Sequence, residues 1–514
     1  MNEPTLPLRE DNRPSNLSCL AVVDSISAMK ELAAWALNIA NQRGAAYADV
    51  RAIDDRSRAL ATKNGKIGNA SDSSSQGFNI RVLIDGAWGF ASSAELDRSS
   101  VEATAARAVD IAKASAKVKQ SDVQLAPEKA VTVEWTTPHQ IDPFSISIEQ
   151  NLALLQKVDA ELRSVPGVTL AETNMNFRRE EQWFFSSEGS DIHQTKYTTG
   201  AGYVAYAFAG SEIQKRSYPN SFGGQWQNKG YELIDELKLV ENARRIGEEA
   251  VALHSAEQCP KGVFDIILES SQLGLQIHES VGHPIELDRV LGMEANFAGT
   301  SFLTLEKLRT LKYGSELVNV VADARQEHGP GLGTFAFDDE GVAAQCTPII
   351  SNGLFTGYLS SRETASLVGL QRSGGTMRAE SWNRLPIIRM TNISILPGEK
   401  PLTLEQLIAS TDHAILFQTN RSWSIDDKRY NFQFGTEIGW EIKNGKRVRM
   451  LKNPSYSGIT TEFWNSMDAI CSRDEWTLWG TPNCGKGQPM QTMGTGHGAS
   501  PARFRKVKVG SAYS

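Results

Sequence analysis

The string SSQLGLQIHESVGHPIELD holds the residues best suited to chemistry in this chain: His278, Glu279 and His283. Two neutral imidazoles can hold a zinc ion, and a neighbouring carboxylate can take a proton from a water molecule that the ion makes acidic. Their spacing is unusual. At 3.6 residues per turn, side chains at i and i+4 lie about 40° apart around a helix, whereas i and i+5 lie about 140° apart and face different ways. A straight α-helix cannot bring His278 and His283 to one ion. Gly282 and Pro284 flank the second histidine and supply a remedy, because Gly relaxes the backbone and Pro disfavours the helical conformation of the residue before it. The last turn is therefore expected to widen into a π-like bulge or to unwind, swinging His283 back beside His278. The competing reading is two ordinary histidines near a helix end.

These residues must be placed by a strand over 263–268 followed by a helix opening near Ser270 or Ser271. Upstream, Ile26, Met29, Leu32, Ala36 and Ile39 fall at helical spacing over 25–43, with Asp24 or Ser25 available as a cap and Gly44 just past the end. Short β-rich stretches over 46–92 are punctuated by Asn64-Gly65, by SDSSSQG and by Asp85-Gly86, the pattern of an antiparallel meander. A helix from about Ser100, with Ser99 and Glu102 as its capping box, a further helix over 147–163, strands over 168–208 and an amphipathic segment over 236–253 complete this half. Beyond Cys259-Pro260-Lys261-Gly262 strand signals dominate, with hairpins at Asn352-Gly353 and Asn444-Gly445. The fold class is α+β. The expected organisation is a flexible tail over 1–24, an N-terminal α/β part with an antiparallel sheet over 25–258 (subregions 25–125 and 140–258), and a mostly β, metal-binding part over 259–514.

Composition narrows the function. Lys and Arg number 53 against 60 Asp and Glu, a formal charge of −7, so gripping phosphate backbones is not the main work and nucleic acid is not an expected partner. No apolar run approaches the roughly 18 residues of a spanning helix, and MNEPTLPLREDNRPSN lacks the basic-then-apolar pattern of a secretory signal, so the expected location is cytoplasmic. Cys19, Cys259, Cys346, Cys471 and Cys484 are too few and too irregular for a disulfide framework. Neither a phosphate-binding G-x-x-x-x-G-K-[ST] string nor a G-x-S-x-G elbow occurs. Asp338-Asp339-Glu340 reads as a solvated turn, and Arg503, Arg505, Lys506 and Lys508 as one face of a terminal strand. Arg378, Arg384 and Arg389 could bind a carboxylate or an oxyanion, or simply pair with surface acids.

HESVGHPIELD resembles the metal motif of the TldD/PmbA peptidases, and is closer to the TldD branch, which keeps its metal site. YADVRAIDDRSRALATKNGKI, GFNIRVLIDGAWGFAS and FFSSEGSDIHQ resemble the family's earlier segments; DDEGVAAQCTPIISNGLFTGYLSSRETA, RAESWNRLPIIRMTNISILPG and TPNCGKGQP resemble its later ones. The resemblance implies a zinc metallopeptidase with one Zn2+ per chain, held by His278, His283 and Cys484, with Glu279 as general base. Spacing alone does not choose Cys484 over Glu286, His497 or Cys471 as third ligand. Cys484 falls in an expected loop where nearby Lys486 would favour the thiolate, and Glu286 and Asp288 are expected to orient the imidazoles. The implied substrates are unfolded or extended peptides, and the implied partner is a second subunit, either a copy of this chain or a metal-free paralogue. The alternatives are a peptide-holding or scaffolding subunit with structural or absent zinc, and a zinc amidase for small N-acyl substrates.

Overall fold

A computed structural model describes residues 22–510. Most of the tail expected over 1–24 lies outside the described residues; from Val22 the chain is already helical. Helix Val22–Gln42 buries Ala33, Ala36, Ile39 and Ala40, has Asp24 and Ser25 within its span, and is followed by Gly44 at φ 93°. Helix Arg98–Ala116 starts at Asp97, whose carboxylate accepts from Ser100 N at 3.0 Å and from the Ser99 and Ser100 hydroxyls, so this acid replaces the expected Ser99 cap. Ser147 caps Ile148–Arg163 in a reciprocal capping box with Gln150. Helix Leu239–Ser255 begins three residues later than the amphipathic segment suggested, after a separate turn of helix at Glu232–Glu236.

The N-terminal strands pair in the order Ala87–Ser93, Lys66–Ile84, Tyr47–Lys63, Val168–Ser186, Asp191–Ala209, Thr132–Thr136, with Glu212–Tyr218 and Gln225–Gln227 also bonded to Asp191–Ala209. SDSSSQG does not interrupt this sheet: Ser71 to Ser75 pair with Ala59 to Asp55 inside one 19-residue strand. Both faces are solvated there, so no apolar alternation marks the strand, and its register follows from the Asn64-Gly65 turn. One face of the sheet is apolar. Val50, Ala52, Ile80, Val82 and Trp183 pack under Val22–Gln42 and Arg98–Ala116, while Leu60, Met175, Phe177 and Tyr203 pack under Ile148–Arg163 and Leu239–Ser255.

The other face is polar, and the C-terminal half presses on it. Arg51 sits 2.7 Å from Asp339, Gln182 donates to Asp339 at 2.9 Å, and Arg81 binds Asp49 at 2.6 Å and reaches Glu340 at 3.3 Å. Asp338, Asp339 and Glu340 are 2%, 6% and 4% exposed, which overturns the solvated-turn reading. Asp338 turns inward to accept from the backbone N–H groups of Glu340, Val342 and Met377, and the other two acids meet the cations of the sheet. Nothing in the acidic run itself signals that the surface opposite is cationic. Glu437 is fully buried and accepts from Arg216 at 3.0 Å and from the N–H and hydroxyl of Ser217, tying the two halves together at a second place.

In the C-terminal half, strands His413–Ile425, Gly262–Leu268, Ala502–Val509, Ser455–Ile459 and Asn431–Lys443 pair in sequence, and His413–Ile425 also pairs with Asn431–Lys443, closing the ring. Ile266, Leu268, Ile415, Phe417, Phe434, Tyr456 and Phe504 share a core with Leu273 and Ile277 of the following helix, while Ile267 and Leu416 face Leu407 and Ile408 on the other side. The chain then returns as a hairpin, Thr477–Lys486 against Gln491–Ala499, beside that helix. Among the described residues no helix is long and apolar enough to cross a membrane, and the four described cysteines are free.

Glu180, on the polar face, tests how strongly buried pairing works here. Burial alone would raise its carboxyl, but Lys196 and Arg178 outweigh it and hold Glu180 at about 2. Its stabilising effect is complete above 4.5, the ordinary value, and is lost as the pH falls from there to about 2. Unfolding free energies from urea titrations through that window should fall less steeply for Glu180→Gln than for the parent, by up to about 1.4 kcal/mol per pH unit; identical slopes would show that the pairing contributes nothing.

Candidate metal centre

Strand Gly262–Leu268 delivers the chain to Glu269, whose carboxylate accepts from Ser271 N at 3.0 Å and starts helix Ser270–Ile277. Every residue of that helix is buried, its glutamines included. Gln272 donates to Tyr456 Oη at 2.9 Å, Tyr456 donates to Gln276 at 3.0 Å, and Gln276 donates to Ser280 at 3.2 Å. At His278–Gly282 the helix widens into a π-turn, and the N–H of His283 donates to the carbonyl of His278. This i→i+5 bond stacks the second histidine over the first. The ring centroids are 4.8 Å apart with planes at 88°. Tyr313 donates to the Ser280 carbonyl, and Trp464 donates to the Ser280 hydroxyl at 3.0 Å, so the irregular turn leaves these groups satisfied.

The flanking residues act differently from expectation. His283 keeps helical angles, φ −66° and ψ −43°, despite Pro284, and the chain leaves the helix only at Glu286, with ψ 111°. Gly282 is also helical, at φ −62°; a Cβ on it would lie 2.1 Å from Met390 Sδ. Gly is required there for space rather than for backbone freedom.

Ligand atoms of His278, His283 and Cys484 all lie within 4.8 Å of one another, and each residue is 4% exposed. Cys484 stands in strand Thr477–Lys486 rather than a loop, with Sγ 3.7 Å from His283 Nε2. His497, also expected in a loop, stands in Gln491–Ala499; its Nδ1 faces the Ile393 carbonyl at 3.2 Å and its Nε2 lies 2.7 Å from His278 Nδ1. A carbonyl only accepts, so His497 carries its proton on Nδ1 and accepts at Nε2 from His278 Nδ1–H. That leaves the lone pair of His278 on Nε2. Glu286 acts likewise on the other ring, its Oε2 lying 3.1 Å from His283 Nδ1, which leaves His283 Nε2 facing Cys484. Two of the rival third ligands, His497 and Glu286, thus occupy the outer edges of the imidazoles. Cys471 is buried elsewhere, against Ile267 and Leu416.

Burial drives His278 and His283 well below 6.5, with neighbouring His and Arg side chains adding to the effect, so both rings are neutral and able to bind a cation. Burial pushes the Cys484 thiol up to about 11, opposed first by Arg389. Lys486, expected to favour the thiolate, is instead bound to Asp288 at 2.5 Å and to the Ile388 carbonyl at 2.6 Å. Asp288 is thereby taken up by Lys486 and orients neither imidazole. Arg389 is fully buried and donates to the Cys484 carbonyl at 2.6 Å. Two neutral imidazoles with fixed tautomers and a thiol that a bound cation would deprotonate suit zinc, and the donor set fits it.

Glu279, 5% exposed, accepts from Arg429 Nη1 at 2.6 Å. Burial raises its carboxyl and Arg429 opposes the rise. Arg429 sits in the turn between His413–Ile425 and Asn431–Lys443 at φ 65°; no spacing in the sequence points to it. Trp423, 48% exposed, packs edge-on against Phe222 at 5.7 Å.

The chain matches the PmbA/TldA metallopeptidase domains: domain 1 over residues 48–112, the central domain over 141–254 and the C-terminal domain over 261–511. A metalloprotease of Methanothermobacter thermautotrophicus is 30% identical over 464 residues, 90% of this chain and 95% of that one. A protein of Saccharolobus solfataricus named zinc metalloprotease TldD homolog is 23% identical over 92% of this chain and 98% of its own. The crystal structure of TldE from Thermococcus kodakarensis shares the fold, with TM-score 0.69 at 16% identity over 94% of this chain and all of that one.

If His497 sets the tautomer of His278, replacing it should weaken metal binding without removing a ligand. His497→Phe is expected to lower zinc affinity about 10- to 100-fold in competition with a chromophoric chelator; unchanged affinity would show that His278 needs no such partner.

Proposed function

The chain belongs to the PmbA/TldD metallopeptidase family, and we propose that it hydrolyses unfolded or extended peptides at a single zinc held by His278, His283 and Cys484, with Glu279 as general base. The observation that carries this reading is the π-turn, which sets two inward-facing imidazole lone pairs beside a buried thiol and puts a carboxylate on the residue next to the first ligand. The name of the Saccharolobus relative supports zinc as the metal.

Bound there, zinc would polarise the scissile carbonyl and make a water molecule acidic enough to give up a proton near neutral pH. Glu279 accepts that proton and passes it to the leaving amine nitrogen. Arg429 donates to Oε2, and its guanidinium works against burial in favour of the ionised carboxylate that can accept a proton. His497 and Glu286 hold the two rings so that neither turns away when substrate enters.

Glu279→Gln separates base from ligand. The variant should keep one zinc per chain by elemental mass spectrometry while hydrolysis of an extended peptide library falls about 10²- to 10⁴-fold. Full activity in the variant would remove the base assignment, and absence of zinc from the parent protein would remove the metal reading.

A further inference from the structure

A cleft of about 380 Å³ separates the polar face of the N-terminal sheet from the terminal hairpin that carries Cys484. Ala59, Asn176, Thr198 and Trp226 stand on the sheet side; Pro482 and Met493 stand opposite. Met493 is the cross-strand partner of Cys484, so the cleft adjoins the metal-binding strand. Four cationic residues reach its walls, and three of them are already matched: Arg58 with Asp72, Arg178 with Asp55 and Glu180, Lys196 with Glu180.

Arg378 is the exception. Its Nη1 donates to the carbonyls of Met390 at 2.7 Å and Gly494 at 2.8 Å, and its Nη2 donates to that of Leu332 at 3.0 Å. Among the described residues no carboxylate lies within ion-pair reach of it. The acids whose charge it feels, Asp339 and Glu180, are engaged by Arg51 and by Arg178 and Lys196. A guanidinium has five N–H donors, so Nε–H and one Nη2–H are left over. Nε and Nη2 are the two nitrogens of the side-on edge that binds a carboxylate in parallel bonds. The same molecule uses that edge where Arg325 binds Asp323 at 2.9 and 2.7 Å, and where Arg503 binds Asp468 at 2.9 and 3.0 Å.

We propose that the cleft is a substrate subsite in which the free Nε/Nη2 fork of Arg378 grips a carboxylate carried by an extended peptide, while Trp226, Pro482 and Met493 take the apolar part of the chain. The carboxylate is either the peptide's C-terminus or an acidic side chain. Burial and the nearby Arg389 hold the Arg378 guanidinium down to about 10, so its surroundings favour an arriving anion. The three backbone contacts fix the fork before any ligand arrives, which limits the entropy lost on binding. Met390, whose carbonyl Arg378 holds, presses its sulfur against Gly282 in the π-turn, so the subsite and the metal ligands share one packed wall.

This inference rests on the peptide-hydrolase reading for the kind of ligand, and binding tests it independently of turnover. Zinc-loaded Glu279→Gln protein is titrated with three fluorescent octapeptides of neutral sequence: one with a free C-terminal carboxylate, one C-terminally amidated with a single Glu, and one amidated without acid. At least one carboxylate peptide should bind about tenfold more tightly than the neutral one, and which of the two does so identifies the source. Arg378→Gln should erase that preference. Because Arg378 also holds the hairpin, Arg378→Lys provides a second route: it keeps the charge but lacks the planar fork, so the preference should fall while zinc, read by elemental mass spectrometry, stays at one per chain. Equal affinity for all three peptides, or a preference that survives in Arg378→Gln, would overturn the subsite even if the protein proves to be an active peptidase.

Discussion

One backbone hydrogen bond, from the His283 N–H to the His278 carbonyl, governs the geometry of the site. Two side chains five positions apart must meet at one ion, and an α-helix would send them to different faces. The π-turn puts them together at the cost of a disrupted helical ladder, and the surroundings are built to absorb it. Tyr313 and Trp464 bond the backbone and side chain of Ser280, Gln276 and Tyr456 continue the polar chain, and Met390 fills the space left by the missing side chain of Gly282. Isolated helices do not keep such a turn. It requires a core on every side, which the closed ring of strands and the terminal hairpin provide.

Electrostatics follow from that burial. Placing two imidazoles, a thiol and a carboxylate out of water keeps the rings neutral, keeps the thiol protonated until a cation arrives, and makes Glu279 a stronger base than a solvated carboxylate. The compensating cations are supplied at particular edges: Arg429 on Glu279, Arg389 on the strand of Cys484, and Lys486 on Asp288 rather than on the thiol. The same economy holds where the polar face of the sheet meets the C-terminal half, with most cations there matched to an acid. Arg378 stands out against this background because its fork is left open toward a cleft.

Much of this was legible in the sequence, and the exceptions share a cause. Turns written in local chemistry, such as Asn64-Gly65, Asn352-Gly353 and the Ser147 capping box, were readable because the residues that make them are adjacent. The break of the metal helix was readable as a need, since five-residue spacing demands it, but its means were not. Pro284 does not remove His283 from helical angles, and Gly282 answers to Met390, more than a hundred residues away. Cys484 and His497 looked like loop residues because glycines surround them, yet those glycines admit Met490 and Asn392 within a hairpin. Asp338-Asp339-Glu340 looked solvated because a run of acids carries no sign of the arginines it meets. Arg429 had no signal at all.

X-ray absorption at the zinc edge of the purified, zinc-loaded protein tests the central claim most directly, because it counts ligands rather than activity. The account predicts about two imidazole nitrogens near 2.0–2.1 Å, one sulfur near 2.3 Å and one exchangeable light donor. A shell without sulfur, or one containing a third imidazole, would contradict the His278, His283 and Cys484 site and the roles given to the residues behind it.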